Sequence, residues 1–238
     1  MSDYQPYDTD SYLRQIEATV TEAQDDRVVL DRTVFHPKGG GQAADHGKLF
    51  WAGGQTQVVD VRYEGDLIWH LLEGPIPRRG EHVRGELDWE RRYALMKGHT
   101  ATHILCGVIW RDYRAAVTGA EIDVGKARMD FEFERMSADF AAEIEAKINA
   151  EVEADRDVRI HILPREEALA IPDLIRNKVS LVPEGIDRIR VVEIVGLDVE
   201  ADGGTHVART GEVGAIRIVG HESKGRINKR FRLALGGA

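Results

Sequence analysis

Apolar and polar residues alternate in short runs through the first third of the chain. "SYLRQIEATVTEA" and "RVVLDRTVF" flank an Asp25-Asp26 turn and read as a hairpin. "GKLFWAGGQTQVVDVRYEGDLIWHLLEG" holds three apolar runs cut by Gly53-Gly54 and Glu64-Gly65-Asp66, and "EHVRGELDW" adds another. About six strands with little helix predict a small β-barrel that ends near Trp89.

From Asp88 the period changes to that of a helix. Asp88 is placed to N-cap "RRYALMKGHTATHILCGVIWRD", whose buried side is Leu95, Ile104, Leu105, Val108 and Ile109. Phe140, Ile144, Ile148 and Val152 then recur every four residues behind a second cap, Ser137. Strand-like runs follow in "RDVRIHIL", "DRIRVVEIVG" and "GEVGAIRIVG". The expected class is α+β: an N-terminal small β-barrel domain over 1-89, then an α+β domain over 90-238 with its helices packed on one antiparallel sheet.

Composition is that of an ordinary globular chain: 238 residues, 42% hydrophobic and 31% charged. Charge says more. A formal net charge of −9 argues against a broad, sequence-independent grip on polyphosphate, which Lys and Arg would have to neutralise. The exception is "SKGRINKRFR", where Lys224, Arg226, Lys229, Arg230 and Arg232 gather with no acid between there and the C-terminus. That run is either a solvated strand or a phosphate contact. Cys106 is the only cysteine, which excludes an intramolecular disulfide and a Cys-rich zinc knuckle, and a free Cys is most often core packing. The opening "MSDYQPYDTDSYLRQ" lacks the basic and apolar regions of a signal peptide, and no later run reaches the ~18 apolar residues of a membrane span. A cytoplasmic location is expected.

Three stretches could carry chemistry. In "KGHTATHILCG", His99 and His103 stand one helical turn apart, with Cβ atoms about 5 to 6 Å apart, close enough for both to reach one metal. A peptidase helix would need Glu directly after the first His, and Thr100 is there instead. In "DVEADGGTHVARTGEVG", the Gly203-Gly204 turn would aim Asp202 and His206 at a common point. In "VFHPKGGGQAADHG", three consecutive glycines mark either a barrel turn or a loop that approaches a ligand closely.

Taken in order, "FHPKGGGQAADHG", "HTATH", "TGAEIDVGKARMDF" and "DGGTHVARTGEVG" resemble the signature of the alanyl-tRNA synthetase editing domain and its free-standing relatives, the AlaX proteins. A barrel bearing GGGQ ahead of the editing domain is similar to the medium-length class, AlaX-M. The resemblance implies hydrolysis in trans of a mischarged tRNA(Ala), chiefly Ser-tRNA(Ala) with Gly-tRNA(Ala) second, by water activated on a bound Zn2+, and a tRNA(Ala) acceptor end as partner. It implies that His99, His103 and His206 are metal ligands, with Asp202 where the family usually has Cys. It implies Thr118 beside the amino-acid pocket and Gln42 facing it from the barrel side. Zinc accepts carboxylate oxygen, although losing a thiolate weakens the preference for zinc over harder ions. Two other readings stay open: a metal-dependent hydrolase of another ester, and a non-catalytic tRNA-binding module with a structural metal.

Overall fold

The computed structural model describes residues 4–134, 136–176, 185–223 and 225–236, and the chain divides into two compact units, Met1–Leu95 and Met96–Ala238. After a single turn, α1 (Pro6–Thr9), the first unit runs through β1 (Gln15–Gln24), β2 (Arg27–Leu30), β3 (Gly47–Trp51), β4 (Gly54–Glu64), β5 (Leu67–Glu73) and β6 (His82–Leu87). These six strands close a barrel in the order β1-β2-β5-β4-β3-β6, antiparallel at every pairing. Inward-facing residues such as Val20, Val28, Phe35, Leu49, Val58, Val61 and Val83 fill it. Closure leaves no strand edge to protect.

The barrel interior also holds polar groups, and two of them are held by several partners. His70 is fully buried, its Nε2 2.8 Å from Thr33 Oγ1 and its Nδ1 3.3 Å from the Val28 carbonyl oxygen. Near the start of the following helix, Arg92 is buried against Asp45, with Nε 3.0 Å from Oδ1, and its guanidinium also donates to the Ser11 carbonyl.

That helix, α2 (Trp89–Tyr113), starts as the sequence predicts, because Asp88 Oδ1 accepts the Arg91 N–H at 3.1 Å. From Leu95 to Ile109 every residue except Lys97 is buried, so the helix is buried nearly all round rather than along one stripe. The rest of the second unit is β7 (Val117–Asp123), β8 (Lys126–Glu132), α3 (Ala138–Glu153), β9 (Val158–Pro164), α4 (Arg165–Leu169), β10 (Arg188–Ile194), β11 (Asp198–Ala201), β12 (Ile216–Ser223) and β13 (Asn228–Leu235), with a 3-10 turn over Thr210–Val213. Ser137 caps α3 by accepting the Phe140 N–H at 3.1 Å.

The second unit has two antiparallel sheets where the sequence predicts one: β11-β10-β9, and β12-β13-β8-β7. The strands not predicted are β7, β8, β11 and β13, and in β8 and β13 the hydrophobic alternation is interrupted by charges that pair across the sheet. The register sets Arg230 opposite Asp130, and Arg230 donates to both carboxylate oxygens at 2.6 Å. From α3, Asn149 bonds both the N–H and the carbonyl of Ile216, and Glu145 accepts the Ile218 N–H. The outer edge of β12 is thus covered by side chains. No described helix is long and apolar enough to cross a membrane.

Candidate metal centre

His99 and His103 on α2 lie with ring centroids 5.3 Å apart. His206, from the segment after β11, brings its ring to 4.5 Å from that of His99 and 4.7 Å from that of His103. Asp202 joins them: its Oδ2 is 3.0 Å from His206 Nε2 and its Oδ1 3.5 Å from His99 Nε2. One ligand atom from each of the four lies within 4.8 Å of the other three. The imidazoles are buried at 2–4% exposure, and Asp202 is partly exposed.

Neither glycine of the Gly203-Gly204 pair takes a left-handed φ. The turn is made instead by Asp202, whose Oδ2 accepts the Gly204 N–H at 2.7 Å, while its backbone carbonyl accepts from Arg190 Nη1 at 2.8 Å.

Two imidazoles are held from behind. His103 Nδ1 is 3.0 Å from Asp198 Oδ2, and His206 Nδ1 is 3.3 Å from Thr100 Oγ1, which also accepts the Val207 N–H at 3.2 Å. With Nδ1 occupied in both rings, Nε2 is the nitrogen left to face a metal. Thr100 lies inside the HTATH motif and Asp198 opens the DVEADGGTH stretch, so both were in view in the sequence. Their roles become visible only through long-range pairing.

The electrostatics suit a cation. Burial pushes the Asp202 pKa up, but the imidazoles of His99, His206 and His103 outweigh it and hold the carboxyl well below the usual carboxylate range. Burial takes His206 down to about 4, against the opposing Asp202 bond. Burial also works against the charge on His103, yet the Asp198 bond and the nearby Glu200 and Asp202 carboxyls lift it to about 9. Uptake of a metal would therefore release a proton from His103. Three imidazole nitrogens and one ionised carboxylate are a donor set that zinc accepts at about 2.0 to 2.2 Å.

Cys106 is not a member of this group. Its thiol donates to Glu200 Oε1 at 2.8 Å, and burial beside Glu200 and Asp198 pushes the thiol well above its ordinary range. Burial and the Asp198 charge likewise raise Glu200 to about 7.

The remaining expected site residues are not among these four. Thr118 is exposed on β7 and its hydroxyl meets Asn228 Oδ1 at 3.2 Å. Gln42, expected to face a pocket, is completely buried in the first unit with Nε2 3.3 Å from His36 Nδ1. The GGGQ loop is a tight turn closed by reciprocal backbone bonds between Gly39 and Gln42, with φ of 57° at Gly40 and 85° at Gly41, values that favour glycine. The basic run is also less available than its composition implies. Lys229 is buried, its ammonium donating to Ser223 Oγ and to the Gly225 and Arg226 carbonyls, and Arg230 is committed to Asp130. Arg226 is exposed, and Lys224 lies outside the described residues.

Residues 11–91 match the family model described as tRNA synthetases class II (A), and residues 189–232 match the threonyl and alanyl tRNA synthetase second additional domain. An alanyl-tRNA editing protein AlaX-M of Methanosarcina acetivorans is 37% identical over 238 residues, covering 96% of this chain and 97% of its own. The AlaX-M of Saccharolobus solfataricus is 36% identical over 227 residues, covering 94% of this chain and 95% of its own. The alanine--tRNA ligase of Pyrobaculum neutrophilum is 43% identical over 217 residues, but these span 88% of this chain and only 24% of the ligase.

Proposed function

Because the chain belongs to the AlaX-M family of alanyl-tRNA editing proteins, we propose that it removes wrongly attached amino acids from alanine tRNA in trans. The bond cleaved is the ester to the acceptor end, with Ser-tRNA(Ala) the chief substrate and Gly-tRNA(Ala) the second. The deacylase chemistry is assigned to residues 90-238, with the barrel of 1-89 in support.

The observation that carries this reading is the convergence of His99, His103, His206 and Asp202 within one buried cluster. His99, His103 and His206, with Asp202 beside them, would hold one Zn2+, which when bound supplies Lewis-acid polarisation of an ester carbonyl and makes water acidic enough to attack near neutral pH. The chain's own part is orientation. Asp198 and Thr100 fix two imidazoles by their Nδ1 atoms. Asp202, ionised and partly exposed, is the residue at which the cluster reaches solvent, where it serves as the fourth ligand or orients the attacking water. Thr118 is proposed to test the amino-acid side chain, and Arg226 to meet a tRNA phosphate.

The test is deacylation of Ser-tRNA(Ala) beside Ala-tRNA(Ala) and a small seryl ester, each with and without a chelator. Release of serine from tRNA alone, stopped by the chelator and restored by zinc, is expected. Equal turnover of the small ester would make the protein a general esterase, and stoichiometric zinc without turnover would make it a binding module.

A further inference from the structure

Asp198 has no part in the cluster of four, yet it is among the most constrained side chains in the second unit. Its carboxylate is fully buried. Oδ2 faces His103 Nδ1 at 3.0 Å, and Oδ1 accepts from Arg176 Nη1. Arg176 is itself buried, is held by its Nε to the Asp173 carbonyl at 3.2 Å, and lies over the Trp110 ring. Access depends on one glycine: a Cβ at Gly107, one turn beyond His103 on α2, would stand 2.8 Å from Leu197 Cγ and 3.1 Å from Asp198 Cβ. Without a side chain at 107, the start of β11 can lie against the helix.

We infer that Asp198, fixed by Arg176 and admitted by Gly107, is a positioning residue that keeps the Nδ1 of His103 protonated and its Nε2 aimed at the metal. This rests on the metal-centre reading above. A carboxylate is an acceptor only, so it selects the one imidazole tautomer that can ligate through Nε2. It also makes the ring a better donor, as carboxylate partners of ligating histidines do. An asparagine cannot replace it. With its single carbonyl toward Arg176 it would present N–H to His103, placing the imidazole proton on Nε2, where it blocks ligation.

The test uses zinc alone, by competition against a chromophoric chelator, on the whole chain. Asp198→Asn should weaken zinc about 10- to 100-fold, the range lost when outer partners of metal ligands are changed. Asp198→Ala combined with Arg176→Met removes the carboxylate together with the arginine that faces it and should show the same loss. In a His103→Ala background, Asp198→Asn should change zinc affinity no further, because its effect passes through that ring. An equal loss with and without His103 would overturn the proposal in favour of general destabilisation, as would wild-type affinity in Asp198→Asn. Failure of the wild-type protein to bind zinc would instead overturn the metal centre itself.

Discussion

Asp202 Oδ2 lies 3.0 Å from His206 Nε2 while accepting the backbone N–H of Gly204 at 2.7 Å, so one carboxylate both builds the turn and faces the centre. Substitution there should have two separable consequences. Asp202→Ala should weaken the metal by more than the roughly 100-fold upper end for outer partners if Asp202 is a ligand, and should lower deacylation with it. Asp202→Cys should recover binding and shift preference toward zinc, because thiolate is the softer donor. Competition between zinc and a harder ion such as magnesium reads this directly. Wild-type affinity and rate in Asp202→Ala would reduce Asp202 to a turn residue.

Arg92→Met should destabilise the barrel by about 3–5 kcal/mol, because it leaves Asp45 buried without its cation. Denaturant unfolding of the whole chain measures it. A loss below about 1 kcal/mol would mean that Asp45 is satisfied by its bond to the His36 N–H and by water.

His70 gives the barrel a pH dependence of known sign. Burial lowers its pKa from 6.5 to about 4, opposed by its backbone bonds, so the folded state binds the proton less readily than the unfolded state. The stabilisation is therefore present above pH 6.5 and is lost as pH falls toward 4, by up to about 3 kcal/mol at 1.4 kcal/mol per unit. The slope of unfolding free energy against pH across this window should shrink in His70→Gln. An unchanged slope would place the dependence in other groups.

The basic run should divide by residue. Arg226→Ala should lower the slope of log K for tRNA against log salt by somewhat under one unit, about 0.7 to 0.9, with little change in stability. Lys229→Ala should do the reverse, since its ammonium is spent on three acceptors within its own turn. A matching fall in salt slope for both variants would return the whole run to the status of a phosphate contact.

Much of this architecture is legible from local signals. The Asp88 and Ser137 caps, the four-residue period of α3 and the turns between barrel strands each depend on neighbours in sequence. What sequence does not reveal depends on register. Arg230 reads as a free cation until β13 is aligned with β8 and Asp130 stands opposite. That the three glycines before Gln42 form a turn closed by the Gly39–Gln42 backbone pair, with Gln42 buried, is visible only in the folded backbone. The centre itself is half legible. HxxxH and DGGTH can be singled out, but that Asp198 and Thr100 hold the rings from behind follows only when β11 is laid against α2.

The central claim, that His99, His103 and His206 form one metal centre on which deacylation depends, is tested most directly by elemental analysis. Wild-type protein and the variants His99→Ala, His103→Ala and His206→Ala are compared for bound zinc per chain, with Ser-tRNA(Ala) deacylation measured on the same samples. One zinc in the wild type, with metal and deacylation falling together in every variant, is the predicted result. Zinc at the wild-type level in all three variants would contradict it.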